Sequence, residues 1–251
     1  MLHKRLISNL LHLNNLRKFL GNASVSLAVK SKFKLEILEN PPRGKVLVLS
    51  PHPDDDVFGC GGTLAIHQQN GDTIKVIYLT SNRLREKEVE EACKALKISD
   101  IEFWGFEEGK FSATVKATNR LSKEINRYRP DIIYCPSFTD PHPDHFETSA
   151  MLNLSLNNLT SKVLNSISIL LCEIWTPTYA NRLVKIDSVV NTKKAAISCH
   201  QSQMKDRGYF DAILGLNTYR AGMFSAGRYA EAFTALTPEL YIKLFKIYNL
   251  K

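Results

Sequence analysis

Short apolar runs alternate with amphipathic segments along most of the chain. Residues 45–50 (KVLVLS) are apolar and contain β-branched side chains, as a strand buried in a parallel sheet requires. Residues 84–97 place apolar side chains every three or four positions and charges between them, which is typical of a surface helix. Strands are predicted at residues 45–50, 73–80, 101–104, 131–135, 168–175 and 183–186. Helices are predicted at residues 62–70, 84–97, 114–128 and 144–159, with one or two more within 188–220.

The alternation of predicted strands and helices indicates the fold class. Strand–helix–strand units place parallel strands in one sheet and helices on its faces. We therefore predict an α/β fold, a Rossmann-like three-layer sandwich with a mostly parallel sheet, plus an N-terminal helical extension. The chain has 251 residues, 44% hydrophobic and 23% charged, which is enough for one substantial core. We divide it into a basic amphipathic extension (1–43) and a single domain (44–251).

The N-terminal extension combines basic charge with regularly spaced leucines. Leucines recur every three or four residues between Leu2 and Leu20, with lysines and arginines between them, which predicts an amphipathic helix. Packing of this helix on the domain is the favoured interpretation. Peripheral contact of residues 1–35 with an anionic lipid surface is the second. A cleavable targeting peptide is disfavoured, because asparagines interrupt the apolar stretch.

The net charge of +8 at first suggests a nucleic-acid-binding protein. Residues 1–35, however, contain seven Lys or Arg and no Asp or Glu, which leaves +1 for the rest of the chain. A nucleic-acid surface needs its basic excess on the folded body, so we predict no nucleic-acid partner. The five cysteines form no Cys-x-x-Cys pair, which favours reduced thiols in a cytoplasmic protein. No apolar run approaches the roughly 20 residues that a membrane-spanning helix needs, and the pattern does not indicate an oligomeric state.

Two predicted strands end in similar polar sequences. The first strand runs into PHPDDD (51–56), and the strand at 131–135 is soon followed by PHPDH (141–145). Ligands of open α/β sheets bind at the carboxyl ends of the strands, so these sequences are candidates for a common site. Zinc prefers imidazole and carboxylate ligands, and a catalytic zinc keeps one position open for water. His52 and Asp55 with one histidine of the second sequence would form such a site.

The three consecutive aspartates at 54–56 exceed what one metal ion can use. A carboxylate beside the metal is what a general base for water requires. Alternatively, the aspartates cap the helix that follows them. The second His-Pro-Asp sequence at another strand end favours the metal interpretation.

These motifs resemble those of the PIG-L/LmbE-like family of zinc-dependent N-acetylglucosaminyl deacetylases. The similarity rests on SPHPDDD (50–56), GCGGT (59–63) and PHPDH (141–145), and extends to AEAF (230–233). It covers about residues 44–233. The resemblance implies a hydrolase that removes an N-acetyl group from an amino sugar or its conjugate, in glycan or glycolipid biosynthesis. The implied cofactor is Zn²⁺, with another divalent metal such as Fe²⁺ as an alternative.

The resemblance also assigns roles to individual residues. The implied metal ligands are His52, Asp55 and His145. Asp54 is the implied general base. His142, best as an imidazolium, stabilises the oxyanion or protonates the leaving amine, and Asp144 is a supporting carboxylate that orients the histidine. Either Asp54 or His142 could deliver the proton to the amine.

Four further residues are implied to contact the substrate: Arg85, Glu173, Arg220 and Glu231. Arg85 follows the second strand and could hold a hydroxyl or a phosphate, although an exposed helix arginine is an equally ordinary interpretation. Glu173 lies in an apolar strand, where unpaired carboxylates are rare. Asp56 stands where the family commonly has Glu, a departure that concerns support of the ligands rather than ligation.

Other functions are compatible with the same motifs. A deacylase of a non-sugar N-acyl amine or of a lipid-linked sugar would share the metal-binding sequences. Two histidines and one carboxylate also form the facial triad of non-haem Fe(II) enzymes. A non-catalytic glycan-binding protein is disfavoured, because every implied ligand is present.

Overall fold

The structure is a computed structural model that describes Leu20, Gly21, Ala23 and residues 34–205 and 208–249. The leucine repeat that predicts an N-terminal amphipathic helix lies outside the described residues, except for Leu20 at its end. Its packing on the domain and its lipid contact therefore stay predictions, as does the division of the chain at residue 43.

The described residues contain one sheet of eight strands. They are β1 (Glu36–Leu38), β2 (Val46–Ser50), β3 (Ile74–Thr80), β4 (Asp100–Phe106), β5 (Ile132–Pro136), β6 (Ser168–Cys172), β7 (Arg182–Lys185) and β8 (Ala230–Leu236). Their order across the sheet is β1-β7-β8-β6-β5-β2-β3-β4. Strand β8 is antiparallel to both of its neighbours, and the other neighbouring pairs are parallel. The predicted α/β class with a mostly parallel sheet is confirmed.

Helices follow most of the strands. They are α1 (Asp55–Gln69), α2 (Arg83–Leu96), α3 (Val115–Tyr128), α4 (Pro143–Leu156), α5 (Ser161–Leu164), α6 (Val190–Cys199), α7 (Gln201–Met204), α8 (Tyr209–Phe224) and α9 (Pro238–Tyr248). Among the described helices, none has the length and apolar character that crossing a bilayer would require.

The helices cover both faces of the sheet. Successive side chains of a strand point to opposite faces. In β2, Val46 and Val48 join a core cluster with α1, α2 and α6, whereas Leu47 and Leu49 join a second cluster with α3, α4 and α9. Both faces of this central strand are fully buried, which explains its continuous apolar sequence.

The observed elements differ from the predicted ones mainly at their boundaries. Helix α1 begins at Asp55 rather than at residue 62, because close packing accommodates the glycines at positions 59, 61 and 62 within the helix. A Cβ at Gly59 would lie 2.8 Å from the Cβ of Cys172 in β6. Strand β6 ends at Cys172, three residues before the predicted end. Strands β1 and β8 were not predicted, and β1, within the predicted extension, pairs with β7.

The topology places the two polar sequences side by side. Strand β2 pairs with β3 on one side and with β5 on the other, so the chain reverses its direction of winding at β2. In α/β sheets, ligands bind beyond the carboxyl ends of the strands at such a switch point. PHPDDD (51–56) follows β2 and PHPDH (141–145) follows β5 at this edge.

Candidate active site

The connection from β2 to α1 folds Asp55 back onto His52. The backbone amide and the Nδ1 atom of His52 each lie 2.9 Å from the Oδ2 atom of Asp55. Asp54 occupies the N-cap position of α1, but its side chain makes no capping hydrogen bond to the described backbone. Asp54, Asp55 and Asp56 are all buried. Capping alone therefore does not account for the aspartate sequence.

The connection from β5 to α4 supplies two histidines. His142 is the N-cap of α4, and its Nδ1 atom accepts a hydrogen bond from the amide of Asp144 at 3.2 Å. Pro143 fits the first helical position, where no amide hydrogen is needed. His145 lies in the first turn and is fully buried. The Nδ1 contact fixes the His142 tautomer, because Nδ1 must be the acceptor and Nε2 must carry the proton.

Three ligand atoms converge between these connections. The Oδ2 atom of Asp55 lies 2.9 Å from His52 Nδ1 and 3.2 Å from His145 Nε2. The two histidine nitrogens are 3.3 Å apart. Ligand atoms bound at about 2.0–2.2 Å to a tetrahedral zinc lie roughly 3.3–3.6 Å from one another. The triangle is therefore close to the size that one zinc ion requires.

A wider set of three histidines also surrounds this position. Ligand atoms of His52, His142 and His145 all lie within 4.8 Å of one another. His52 and His145 belong to both sets, which differ in having Asp55 or His142 as the third ligand. The Asp55 set is tighter, and one nitrogen of His142 is already occupied by an amide. Either arrangement could hold a divalent cation, and the geometry favours the set with Asp55.

Two further carboxylates lie next to the ring nitrogens of His52 and His145 that are not part of the triangle. Asp144 Oδ2 lies 3.1 Å from His52 Nε2 and accepts the amide of Gly109 at 2.8 Å. Asp140 Oδ2 lies 3.2 Å from His145 Nδ1. Carboxylates in these positions orient metal-binding imidazoles and increase their basicity. Asp144 was predicted as a support. Asp140 was not, although its position between β5 and the second motif was a usable signal.

Burial strongly affects the titration of the central groups. Burial opposes the charged form of His145, but the carboxylates of Asp55 and Asp140 outweigh it and raise its pKa to about 10. Burial raises the pKa of Asp54 to about 7, with a contribution from the charge of Asp55, whereas the Arg85 guanidinium acts in the opposite direction. A general base is most effective when its pKa lies near the working pH. Asp54 thus has the environment of a general base.

Burial lowers the pKa of His142, and the neighbouring His52 and His145 add to this effect. This direction opposes the imidazolium that the resemblance implies, and the charge state of His142 stays a prediction. A neutral His142 still donates a hydrogen bond from Nε2.

A cavity of about 390 Å³ opens onto these residues. Among its described lining residues are the predicted His52, Asp54, Asp55, His142 and Arg85. Glu108 and Gln203 add polar groups that the sequence did not identify as site residues. The remaining wall is mainly apolar and aromatic, and includes Phe58, Ile174, Trp175, Tyr209 and Ile213.

Arg85 is the one predicted substrate residue found in the described cavity wall. Its Nη2 atom lies 3.0 Å from Asp54 Oδ2, and its Nη1 atom lies 3.1 Å from Glu108 Oε2. Arg85 therefore contacts the candidate base directly. It is buried rather than the exposed helix arginine of the alternative interpretation.

The other three predicted substrate residues are not among the described lining residues of this cavity, and their substrate roles stay predictions. Glu173 and Arg220 form a buried ion pair, and Arg220 also donates to the carbonyl of Thr178 at 2.7 Å. Glu231 is 0% exposed and pairs with Lys193. Buried carboxylates need such partners, so these charges are used within the fold.

Two histidines, a carboxylate within their reach and a second buried carboxylate at a cavity are the groups that a site of the metal-dependent hydrolase class would use. Comparison with known proteins agrees with this class. Residues 47–154 match the family described as PIG-L: GlcNAc-PI de-N-acetylase. The matched segment contains both His-Pro-Asp motifs, and it agrees with the resemblance seen in the sequence to PIG-L/LmbE-like deacetylases, hydrolases that cleave an amide bond.

Similar proteins extend the match beyond that segment. The chain is 25% identical over 235 residues to diacetylchitobiose deacetylase of Thermococcus kodakarensis, covering 82% of this chain and 88% of that protein. It is 24% identical over 188 residues to a probable N-acetyl-α-D-glucosaminyl L-malate deacetylase 2 of Bacillus cereus, covering 63% and 83% respectively. The crystal structure of the conserved protein TT1542 from Thermus thermophilus superimposes with a TM-score of 0.70 at 27% identity, covering 77% of this chain and 95% of that one.

Proposed function

We propose that the protein is a divalent-metal-dependent N-deacetylase that releases acetate from an amino sugar or an amino-sugar conjugate. The observation that carries this proposal is the triangle of His52 Nδ1, Asp55 Oδ2 and His145 Nε2 beside the buried Asp54. The enzymatic names of the two relatives, which refer to N-acetylated sugar compounds, support the substrate class. The metal is proposed to be zinc, with Fe²⁺ as the alternative.

The chain's own residues account for the proton movements. A zinc ion bound in the triangle supplies Lewis acidity toward water and the amide carbonyl. Asp54 takes the proton of the attacking water, and Arg85 holds the Asp54 carboxylate in place at 3.0 Å. His142 donates a hydrogen bond from Nε2 to the developing oxyanion. Asp54, once protonated, gives its proton to the leaving nitrogen.

The polar side of the cavity supports an amino-sugar substrate. Arg85, Glu108 and Gln203 line it and supply guanidinium, carboxylate and amide groups, and Arg85 contacts the candidate base Asp54. Sugar hydroxyls can donate to the carboxylate and accept from the other two groups. Glu173, Arg220 and Glu231 are not part of this proposal, because the fold uses their charges elsewhere.

Acetate release from a panel of N-acetylhexosamine conjugates, including nucleotide-linked and lipid-linked ones, tests the proposal. We expect zinc-dependent release of acetate with formation of the free amine. Asp54→Asn is the matched control, because it keeps the shape of the side chain and removes the base. A protein that turns over only with iron and oxygen would refute hydrolysis. Release of acyl groups only from non-sugar amines would refute the substrate class.

Cytoplasmic location and peripheral membrane contact through residues 1–35 stay predictions from the sequence. Sedimentation with anionic liposomes tests the lipid contact, with a variant lacking residues 1–35 as the control. Binding of the full chain but not of the shortened variant is the result expected from lipid contact. Equal behaviour of the two would favour packing of the helix on the domain.

A further inference from the structure

A fully buried ion pair lies beneath the middle of α1. Lys193 of α6 and Glu231 of β8 are both 0% exposed, and their charged atoms are 2.6 Å apart. Both also bind the backbone of α1. The Glu231 carboxylate accepts the amides of Gly62 at 2.8 Å and Thr63 at 2.7 Å, and Lys193 Nζ donates to the carbonyl of Phe58 at 3.0 Å.

These contacts meet at one turn of the helix. In an α-helix the amide of Gly62 faces the carbonyl of Phe58, four residues earlier. Glu231 accepts a hydrogen bond from that amide, and Lys193 donates one to that carbonyl. The ion pair therefore contacts both the donor and the acceptor of one turn of the helix. Contacts of opposite polarity at one position resist both rotation and sliding of the helix.

This part of α1 has little support from its own sequence. Gly59, Gly61 and Gly62 fall within four consecutive residues, and glycine is a weak helix former. Their lack of side chains is used for close packing, because a Cβ at Gly62 would lie 2.8 Å from Ile186. The helix that begins with Asp55 is therefore weakest just after its first turn, and the buried pair binds it there.

We propose that the Lys193–Glu231 pair is a positioning device for the metal centre. It acts through α1, which carries Asp55 at its first residue, follows directly on Asp54 and places Phe58 in the cavity wall. Neither Lys193 nor Glu231 is among the described residues that line the cavity. The inference rests on the proposed metal site but not on the identity of the acylated substrate.

The test neutralises the pair and measures metal binding. In Lys193→Met/Glu231→Gln both charges are removed together, so no unpaired charge stays buried. The control is Lys75→Met, because Lys75 is also buried and paired, with Glu102 at 2.5 Å and Asp100 at 3.3 Å, at the opposite end of the sheet. Affinity for Zn²⁺ is measured by chelator competition at a temperature where circular dichroism shows every variant to be folded. kcat and KM for acetate release are measured alongside.

We expect the double variant to bind Zn²⁺ at least about tenfold more weakly, as loss of support for metal ligands typically does. We expect kcat to fall more than KM rises, and Lys75→Met to retain the wild-type Zn²⁺ affinity even if it melts at a lower temperature. A folded double variant with wild-type Zn²⁺ affinity and kcat would overturn the proposal, because the pair would then serve stability alone.

A second variant covers failure of the double variant to fold. Lys193→Gln/Glu231→Gln also leaves no unpaired buried charge and keeps a polar side chain at both positions, and the same loss of Zn²⁺ affinity is expected, with wild-type affinity again as the refuting result. Zinc affinity is measured without substrate. A wild-type protein that binds zinc but deacetylates no amino sugar would refute the proposed substrate class and leave this test intact.

Discussion

Asp140 offers the sharpest test of how the candidate metal site is supported. Its Oδ1 atom accepts the amide of His142 at 3.0 Å, and its Oδ2 atom accepts the amide of Trp175 at 3.1 Å. Oδ2 also lies 3.2 Å from His145 Nδ1. In Asp140→Asn, one oxygen becomes an NH₂ group that must face a donor. At least one contact is therefore lost, together with the charge opposite His145.

The expected size of the effect follows from these contacts. A hydrogen bond to a charged group contributes about 1.5–3 kcal/mol. Loss of a carboxylate behind a metal-binding histidine typically weakens metal affinity or activity by about 10–100-fold, or about 1.4–2.7 kcal/mol at 1.36 kcal/mol for each factor of ten. We expect Asp140→Asn to bind Zn²⁺ about 10–100-fold more weakly and to lose kcat/KM by a similar factor.

The assay is chelator competition for Zn²⁺ combined with acetate release. Asp72→Asn is the matched control, because the Asp72 side chain is 4% exposed and lies 2.8 Å from both Arg43 Nε and His67 Nδ1, away from the candidate site. The control should lose thermal stability and keep its Zn²⁺ affinity. Wild-type Zn²⁺ affinity and kcat/KM in Asp140→Asn would refute the reasoning, since His145 would then need no carboxylate partner.

Three further predictions concern the base, a buried histidine and the metal. Asp54→Asn should lower kcat/KM about 10²–10⁴-fold and keep bound zinc, checked by acetate release and metal analysis. Burial, aided by Arg85, lowers the pKa of His200 to about 4. Between its unfolded pKa of about 6.5 and this value the unfolded state binds more protons, so stability falls as pH falls. Between pH 7 and pH 4.5, the wild type should lose about 2–3 kcal/mol more free energy of unfolding than His200→Gln, as measured by urea titration. Equal losses in the two proteins would contradict the lowered pKa of His200. Chelation should abolish turnover and lower Tm, and one equivalent of Zn²⁺ should restore both; a Tm indifferent to zinc would argue against the site.

The sequence was sufficient for the elements that depend on local pattern. Continuous apolar runs identified β2, β3 and β5, because strands buried on both faces carry few polar side chains. The His-Pro-Asp sequences then located the candidate site, since parallel strands bring their carboxyl ends to one edge. The ligand roles of His52, Asp55 and His145 stay proposals, and the structure brings these residues together.

The features that the sequence did not predict depend on distant partners. Strand β8 has the sequence AEAFTAL and is fully buried. Its alanines and its charged residue do not give the continuous apolar pattern by which a buried strand is recognised. Glu231 is compatible with burial only because Lys193 of α6 reaches it, and nothing local indicates that pairing. The same holds for Glu173, whose partner Arg220 comes from α8. A sequence can identify an unusual carboxylate in an apolar run, but the cation that neutralises it is set by the tertiary fold.

The contact between Asp140 and the Trp175 amide has a consequence for engineering the enzyme. Trp175 is 51% exposed in the cavity wall, and its ring lies 5.3 Å from that of His142. Its backbone amide donates to the Asp140 carboxylate, which also faces His145, so insertions or deletions beside Trp175 would disturb the candidate metal site as well as the cavity. Ala212 and Ile213 line the cavity from α8, and neither has a hydrogen bond to Asp140 among the described contacts. Libraries that aim to change substrate preference should therefore vary α8 and preserve the length of the Trp175 loop.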